Sequence, residues 1–218
     1  LRARIQMNRA SEVEGHSTPE DADVSWFGKH TTHFTTTDEK GYWVACTSTI
    51  NTSFGAKVVL PGTGIFLNNQ MDDFSTAPGL TNFFGLLGGE ANAVAPMKRP
   101  LSSMSPTVVL RRGKPLLTVG AAGGPTIISQ AVLAIIGVVD FGLTVDQSLA
   151  EPRFHHQWRP DELRVESGFP ASTLRELRRR GHPVVEVNSL GACQAIEQRQ
   201  GAFRAAHDPR GEGRSLNW

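Results

Sequence analysis

Polar and apolar positions alternate with period two over Thr31-Thr32-His33-Phe34-Thr35-Thr36-Thr37, and again over residues 42–51. Period two is the signature of a strand with one buried face. The two runs flank Asp38-Glu39-Lys40-Gly41, a polar turn closed by Gly. The pattern therefore predicts an antiparallel hairpin. In its second run Thr47, Thr49 and Asn51 lie two apart and are expected on one face. Gly and Pro punctuate residues 55–64, after which Ile65-Phe66-Leu67 reads as a short apolar strand. Residues 75–96, rich in Gly, Ala, Pro and Asn, carry no period and read as a long loop, a class of segment in which function concentrates. Residues 107–110 and 116–119 predict a second hairpin around Arg111-Arg112-Gly113-Lys114-Pro115.

A helix is expected over 125–139, with Pro125 suited to the first helical position. Thr144-Val145-Asp146-Gln147 has the form of a capping box and predicts a short helix before Pro152. Ser172 is expected to cap a helix over 173–180, with Leu174 and Leu177 on its buried side, basic residues in its last turn and Gly181 behind it. Residues 183–187, 192–198 and 202–207 read as final strands, the last two joined at Arg199-Gln200-Gly201. Strands, then helices, then strands predict a layered α+β sandwich instead of a parallel doubly wound sheet. Residues 1–30 break the pattern. They are polar and unpatterned, and 11–23 is dense in Glu, Asp, Ser and Pro, which reads as a surface linker. The expected division is thus 1–30 and 31–218.

A chain of 218 residues with 39% apolar side chains can bury one sizeable core. Its 22 basic and 21 acidic side chains leave a net charge of +1, which gives no electrostatic case for nucleic acid or an anionic membrane. Two cysteines, Cys46 and Cys193, are too few for a disulfide framework. Cys46 lies in a predicted strand and is expected in the core. The longest apolar run, 131–139, is too short to span a bilayer. Leu1-Arg2-Ala3-Arg4 has no apolar stretch behind it and reads as no secretory signal. The absence of a first Met fits a piece of a longer precursor, so the compartment is not legible here.

Several groups carry candidate chemistry. Gly123-Gly124 ahead of a helix suits an oxyanion site, because Gly allows close backbone approach and N–H groups at a helix start face developing negative charge. A tight packing corner is the alternative. A phosphate loop is disfavoured, since no Gly-Lys-Ser/Thr follows. Asp72-Asp73 could serve an ammonium group or be a hydrated pair. No acid–Gly loop and no His pair at metal spacing accompanies them, so no metal is expected. Ser102-Ser103 could bind a ligand or form a turn, and they sit in no Gly-x-Ser-x-Gly elbow. His155-His156, Arg153 and Trp158 are expected to be structural.

Five stretches occur in a telling order: Thr31-Thr32-His33, Asn68-Asn69-Gln70-Met71-Asp72-Asp73-Phe74, residues 98–106, Gly120-Ala121-Ala122-Gly123-Gly124 and Pro152-Arg153-Phe154-His155-His156-Gln157-Trp158. This set resembles the γ-glutamyltransferase (glutathione hydrolase) family from Thr31 to about Pro209. The resemblance implies the four-layer αββα fold of N-terminal nucleophile hydrolases. It also implies self-cleavage between His30 and Thr31, with residues 1–30 as the end of a large subunit and the rest as the small catalytic subunit. Thr31 is then the nucleophile, its freed α-amine the base, and Thr49 the group that orients it. Asn51, Gln70 and Asp73 are implied to bind the substrate ammonium, Ser102 and Ser103 its α-carboxylate, and Gly123 and Gly124 the oxyanion. The implied substrates are glutathione and other γ-glutamyl amides, with water, amino acids or peptides as acceptors and no cofactor. The implied partner is the large subunit of the same precursor, and relatives suggest a periplasmic or secreted address. Cephalosporin acylases and poly-γ-glutamate processing enzymes remain alternatives within the fold, and an unprocessed, inactive fragment is a third. Phe84 stands where some relatives carry a Tyr in a lid.

Overall fold

The computed structural model describes residues 6–9, 31–77 and 79–216. The linker expected over 11–23 and the residue before Thr31 lie outside the described residues. The first hairpin forms as its alternation requires. Strand β1 (Thr31–Thr37) pairs antiparallel with β2 (Trp43–Thr49), with Thr31 opposite Thr49. Asp38 closes the turn: its backbone carbonyl accepts from the Gly41 N–H, and its carboxylate accepts from the Tyr42 N–H. The chain then runs through β3 (Thr107–Arg111), β4 (Lys114–Ala122), α1 (Thr126–Val139), α2 (Val145–Ala150), β5 (Phe154–His155), β6 (Leu163–Glu166), α3 (Ala171–Arg179), β7 (Val184–Val187), β8 (Ala192–Arg199) and β9 (Ala202–His207).

Four of these strands build the central sheet, in the order β3-β4-β8-β9 and antiparallel throughout. One face of it carries Leu117, Val119, Ala121, Cys193 and Ala195. Helices α1 and α2 bury Ile127, Ala134, Val138, Val145 and Leu149 against that face. Each large aliphatic side chain taken out of water there contributes about 1.5–3 kcal/mol. The opposite face is set with Thr118, Gly120 and Ala122, and the hairpin lies on it. The Thr118 hydroxyl donates to the Val44 carbonyl at 3.4 Å. The His33 ring sits so close over Gly120 that a Cβ there would lie 2.2 Å from it.

The layers are therefore hairpin, sheet and helices, an α+β arrangement as expected. Among the described residues nothing covers the hairpin's far side, where Phe34 is 51% and Val44 41% exposed. Cys46 corrects its expectation. It pairs with Phe34 in register on this far side and is only half-buried. The core thiol is Cys193, fully buried, with burial pushing its pKa up to about 12.

A third, mixed sheet was not foreseen. Strand β6 pairs antiparallel with β5 and parallel with β7, so β7 stands apart from the other late strands. Leu163 and Val165 of β6 pack on Leu174 of α3. Helix α3 begins after Pro170, whose carbonyl accepts from the Thr173 and Leu174 N–H groups. Ser172 thus lies inside the first turn and is no cap. The capping box at α2 is present, with the Thr144 N–H donating to the Gln147 side chain at 3.0 Å. Pro125 stands one position before its expected place, as the N-cap of α1. Ile65-Phe66-Leu67 forms no strand: Phe66 makes a single bridge to Val59, and all three side chains are exposed with no core beneath them. No described helix is long and apolar enough to cross a membrane.

Candidate active site

The site starts from the hairpin's open end. Because Thr31 faces Thr49 across the register, their hydroxyls meet, and Thr31 Oγ1 donates to Thr49 Oγ1 at 3.1 Å. The Asn51 backbone N–H donates to the same Thr49 oxygen at 2.9 Å. Asn51 reaches this position by a bend and not by alternation. Strand β2 ends at Thr49, and Asn51 turns back at φ 81° with its side chain buried. Its Nδ2 donates to the Asn69 carbonyl at 3.1 Å.

Asp73 ends the short 3-10 turn Gln70–Asp73. Burial pushes its carboxyl pKa up to about 6; a hydrogen bond from Asn51 opposes the rise and the neighbouring Asp72 charge adds to it. Two loop amides then fix its backbone. Asn82 Nδ2 and Asn92 Nδ2 both donate to the Asp73 carbonyl, at 3.4 and 2.9 Å. The Asn92 side-chain oxygen accepts from the Leu101 N–H at 2.9 Å. One side chain thereby ties Asp73 to the segment carrying Ser102 and Ser103.

Thr31, Thr49, Asn51, Asp73, Ser102, Ser103 and Gly124 line one small cleft, with Asn82 and Phe84 at its wall. Two expected residues are not in that lining. Gln70 is half-buried outside it, its side-chain oxygen buried with no hydrogen-bond partner among the described residues. Gly123 lies behind Gly124, against α1. A wider groove runs from Thr31 along β1 towards β8, β9 and residues 211–216, so Thr31 stands where the two concavities meet.

Two histidines, His155 and His33, behave as packing groups, whereas His156 is exposed with Nε2 3.0 Å from Asp161 Oδ1. His155 is buried, with Nδ1 2.8 Å from Ser129 Oγ and Nε2 2.9 Å from Gln157 Oε1, and burial holds its pKa below the usual range. His33, buried over Gly120, has Nδ1 2.7 Å from Thr47 Oγ1, and desolvation lowers its pKa to about 4. No group of three or more His, Cys, Asp or Glu side chains that could hold a metal occurs among the described residues. Sequence reasoning passed over Asn82 and Asn92, which look like ordinary loop polars. It also passed over Gln130, whose signal was available as a lone amide in an apolar helix.

Chemically, the cleft offers a hydroxyl held by a second hydroxyl, a carboxylate with amides, two serines and Gly124 just ahead of a helix start. The γ-glutamyltranspeptidase family model matches residues 1–218. The chain belongs to the γ-glutamyltranspeptidase family. It is 49% identical over 181 residues to the glutathione hydrolase proenzyme of Escherichia coli K12, an alignment that covers 83% of this chain and 31% of that protein. The chain thus spans about a third of the length of this curated relative. A mutant γ-glutamyltranspeptidase of Helicobacter pylori superposes with a TM-score of 0.79 at 43% identity, covering 83% of this chain and 100% of that one. An acivicin-inhibited γ-glutamyltranspeptidase superposes with a TM-score of 0.80 at 43% identity, covering 84% and 100%. That structure is described as revealing critical roles for its C-terminus in autoprocessing and catalysis.

Proposed function

We propose that residues 31–218 are the catalytic portion of a γ-glutamyl hydrolase and transpeptidase with Thr31 as nucleophile. The observation that supports this most is the 3.1 Å contact between Thr31 Oγ1 and Thr49 Oγ1, in a cleft that also holds Asp73 and Gly124. A Thr hydroxyl needs a base, and a free α-amine with a pKa of about 7.7–8.0 can serve when Thr is the first residue. That amine has to be made. The Thr31 hydroxyl attacks the carbonyl of His30, the C–N bond breaks to free the Thr31 amine as an ester forms, and water then hydrolyses that ester to a His30 carboxylate and the free Thr31 hydroxyl. The name proenzyme for the E. coli relative and the autoprocessing of a solved relative support this step.

In turnover the same hydroxyl attacks the γ-carbonyl of the substrate. Its proton passes to the α-amine and then to the leaving amine, and a γ-glutamyl ester remains on Thr31. Thr49 orients the hydroxyl. Asp73 and Asn51 hold the substrate ammonium, a charge-assisted contact that selects a free γ-glutamyl head group. Ser102 and Ser103 take its α-carboxylate. Gly124 supplies an N–H to the oxyanion, with Gly123 shaping the corner. Water completes hydrolysis, and an amino acid or peptide completes transfer. Glutathione is the natural class of donor. The partner in this reading is the upstream large segment of the same precursor, and Gln70 acts from outside the cleft lining.

The test is a pair of anilides, γ-glutamyl and glutaryl, which differ in the ammonium group. The γ-glutamyl anilide should react faster by at least about tenfold, the worth of one charged hydrogen bond. Asp73→Asn should remove most of that difference. Faster turnover of the glutaryl anilide would contradict the reading.

A further inference from the structure

We propose that Thr126 and Gln130 are positioning residues that lock the Gly123–Gly124 peptide with its N–H turned towards Thr31. This rests on the roles of Thr31 and Gly124 proposed above. Two adjacent glycines, at φ 144° and 57°, have no side chain to hold their shared peptide in one orientation. The peptide is held from one side instead. The Gly123 carbonyl accepts from the Thr126 hydroxyl at 2.8 Å and from the Thr126 N–H at 3.2 Å. In a trans peptide the C=O and the next N–H point in opposite directions. With the Gly123 carbonyl bound into the start of α1, the Gly124 N–H faces away from the helix, and Gly124 lines the cleft with Thr31.

Gln130 sets the direction of the Thr126 proton. Both side chains are 1% exposed. Gln130 Nε2 donates to Thr126 Oγ1 at 3.0 Å and to the Ala122 carbonyl at 3.1 Å, while Arg153 Nη1 donates to its Oε1 at 3.3 Å. The arginine contact fixes which end of the amide is oxygen. Since the Thr126 oxygen accepts a hydrogen bond from Gln130, its own O–H is left to donate to a carbonyl, and the Gly123 carbonyl at 2.8 Å is nearer than that of Leu190 at 3.4 Å. The fit leaves no slack: a Cβ on Gly123 would lie 2.6 Å from Thr126 Oγ1 and 2.8 Å from Gln130 Nε2. A donor fixed before reaction needs no reorganisation as charge develops, which is why its orientation matters to rate more than to ground-state binding.

The experiment uses the chain in complex with its upstream segment and compares Thr126→Val, Thr126→Ser and Gln130→Glu. The last is isosteric but accepts the hydrogen bond of the Thr126 hydroxyl, which leaves the Gly123 carbonyl held by the Thr126 N–H alone. Thr126→Val and Gln130→Glu should lower kcat on a γ-glutamyl anilide by about tenfold or more, short of the 10²–10³ lost with a whole donor, while KM stays within about twofold. Thr126→Ser should restore most of the rate. Inhibition by a boronic acid analogue of the γ-glutamyl group, which mimics the tetrahedral state, should weaken in step with kcat/KM, while inhibition by glutamate should not change. Equal loss of boronate and glutamate affinity, or a wild-type kcat in either disruptive variant, would overturn the proposal. If Thr126→Val does not fold, Gln130→Glu against Thr126→Ser decides the matter in the same way. A wild-type protein that turns over no γ-glutamyl substrate would instead overturn the reading on which the proposal rests.

Discussion

At the residue scale, Asp73 is the group that sets recognition in the proposed reading. Its carboxyl titrates near pH 6 because it is half-buried. Above that pH it is charged and can hold an ammonium; as pH falls through about 6 it takes up a proton and the attraction is lost. The Ki of an unreactive α-amino acid with a non-titrating side chain should be constant near pH 7, where carboxylate and ammonium are both charged, and should rise roughly tenfold per pH unit below 6. Asp73→Asn should bind weakly at every pH with no such slope. A Ki that stays flat down to pH 5 would show that the carboxylate does not face the ligand. Thr31, Thr49 and Asp73 were legible because they stand in recognisable strings. Asn92 and Gln130 were not, since one amide among many polar or apolar neighbours has meaning only once the chain has folded around it.

Between elements, the decisive contact is His33 on Gly120, which seats the hairpin on the central sheet. Gly120→Ala would drive a Cβ into the imidazole and should cost about 1–3 kcal/mol, read as a lower melting temperature. His33 also makes stability pH-dependent. Its folded pKa of about 4 lies below the unfolded 6.5, so the unfolded chain binds more protons between those values. Its contribution is full above pH 6.5 and is lost as pH falls towards 4. His33→Gln should be less stable at pH 7 and should lose less stability on acidification from pH 7 to 5; an unchanged acid slope would contradict this.

The 75–96 loop gives a second prediction at this scale. Asn92 bridges the Asp73 and Ser102-Ser103 segments, so Asn92→Ala should raise KM for the γ-glutamyl anilide several-fold and raise it less for the glutaryl anilide, which keeps the carboxylate but lacks the ammonium. An equal loss on both substrates would mean that the loop merely supports the fold.

The first hairpin, α1 and the β8–β9 pair were legible because their patterns and turns are local. Strand β6 was not: it has four residues, and its parallel partner β7 comes only after α3. Helix α3 was placed one to two residues late because Pro170 opens it, where Ser172 had looked like the cap.

At the scale of the whole molecule, the described residues leave the hairpin's far face uncovered, with Phe34 and Val44 exposed. The chain spans only about a third of its E. coli relative. Large apolar faces seek a partner, and the upstream segment is the partner in the proposed reading. Co-expression with that segment should yield a complex that turns over γ-glutamyl anilide, whereas the chain alone should be inactive. Layer order followed from the succession of strands and helices, but what covers the hairpin was not legible in these residues alone.

The most direct test of Thr31 as nucleophile is the intact mass of the complex, taken after incubation and again after brief exposure to a γ-glutamyl substrate. The expected result is cleavage between His30 and Thr31, followed by a gain of one glutamyl residue on the fragment that begins at Thr31. A chain that is never cut, or a cut chain that turns over substrate with no adduct trapped on Thr31 at any time, would contradict it.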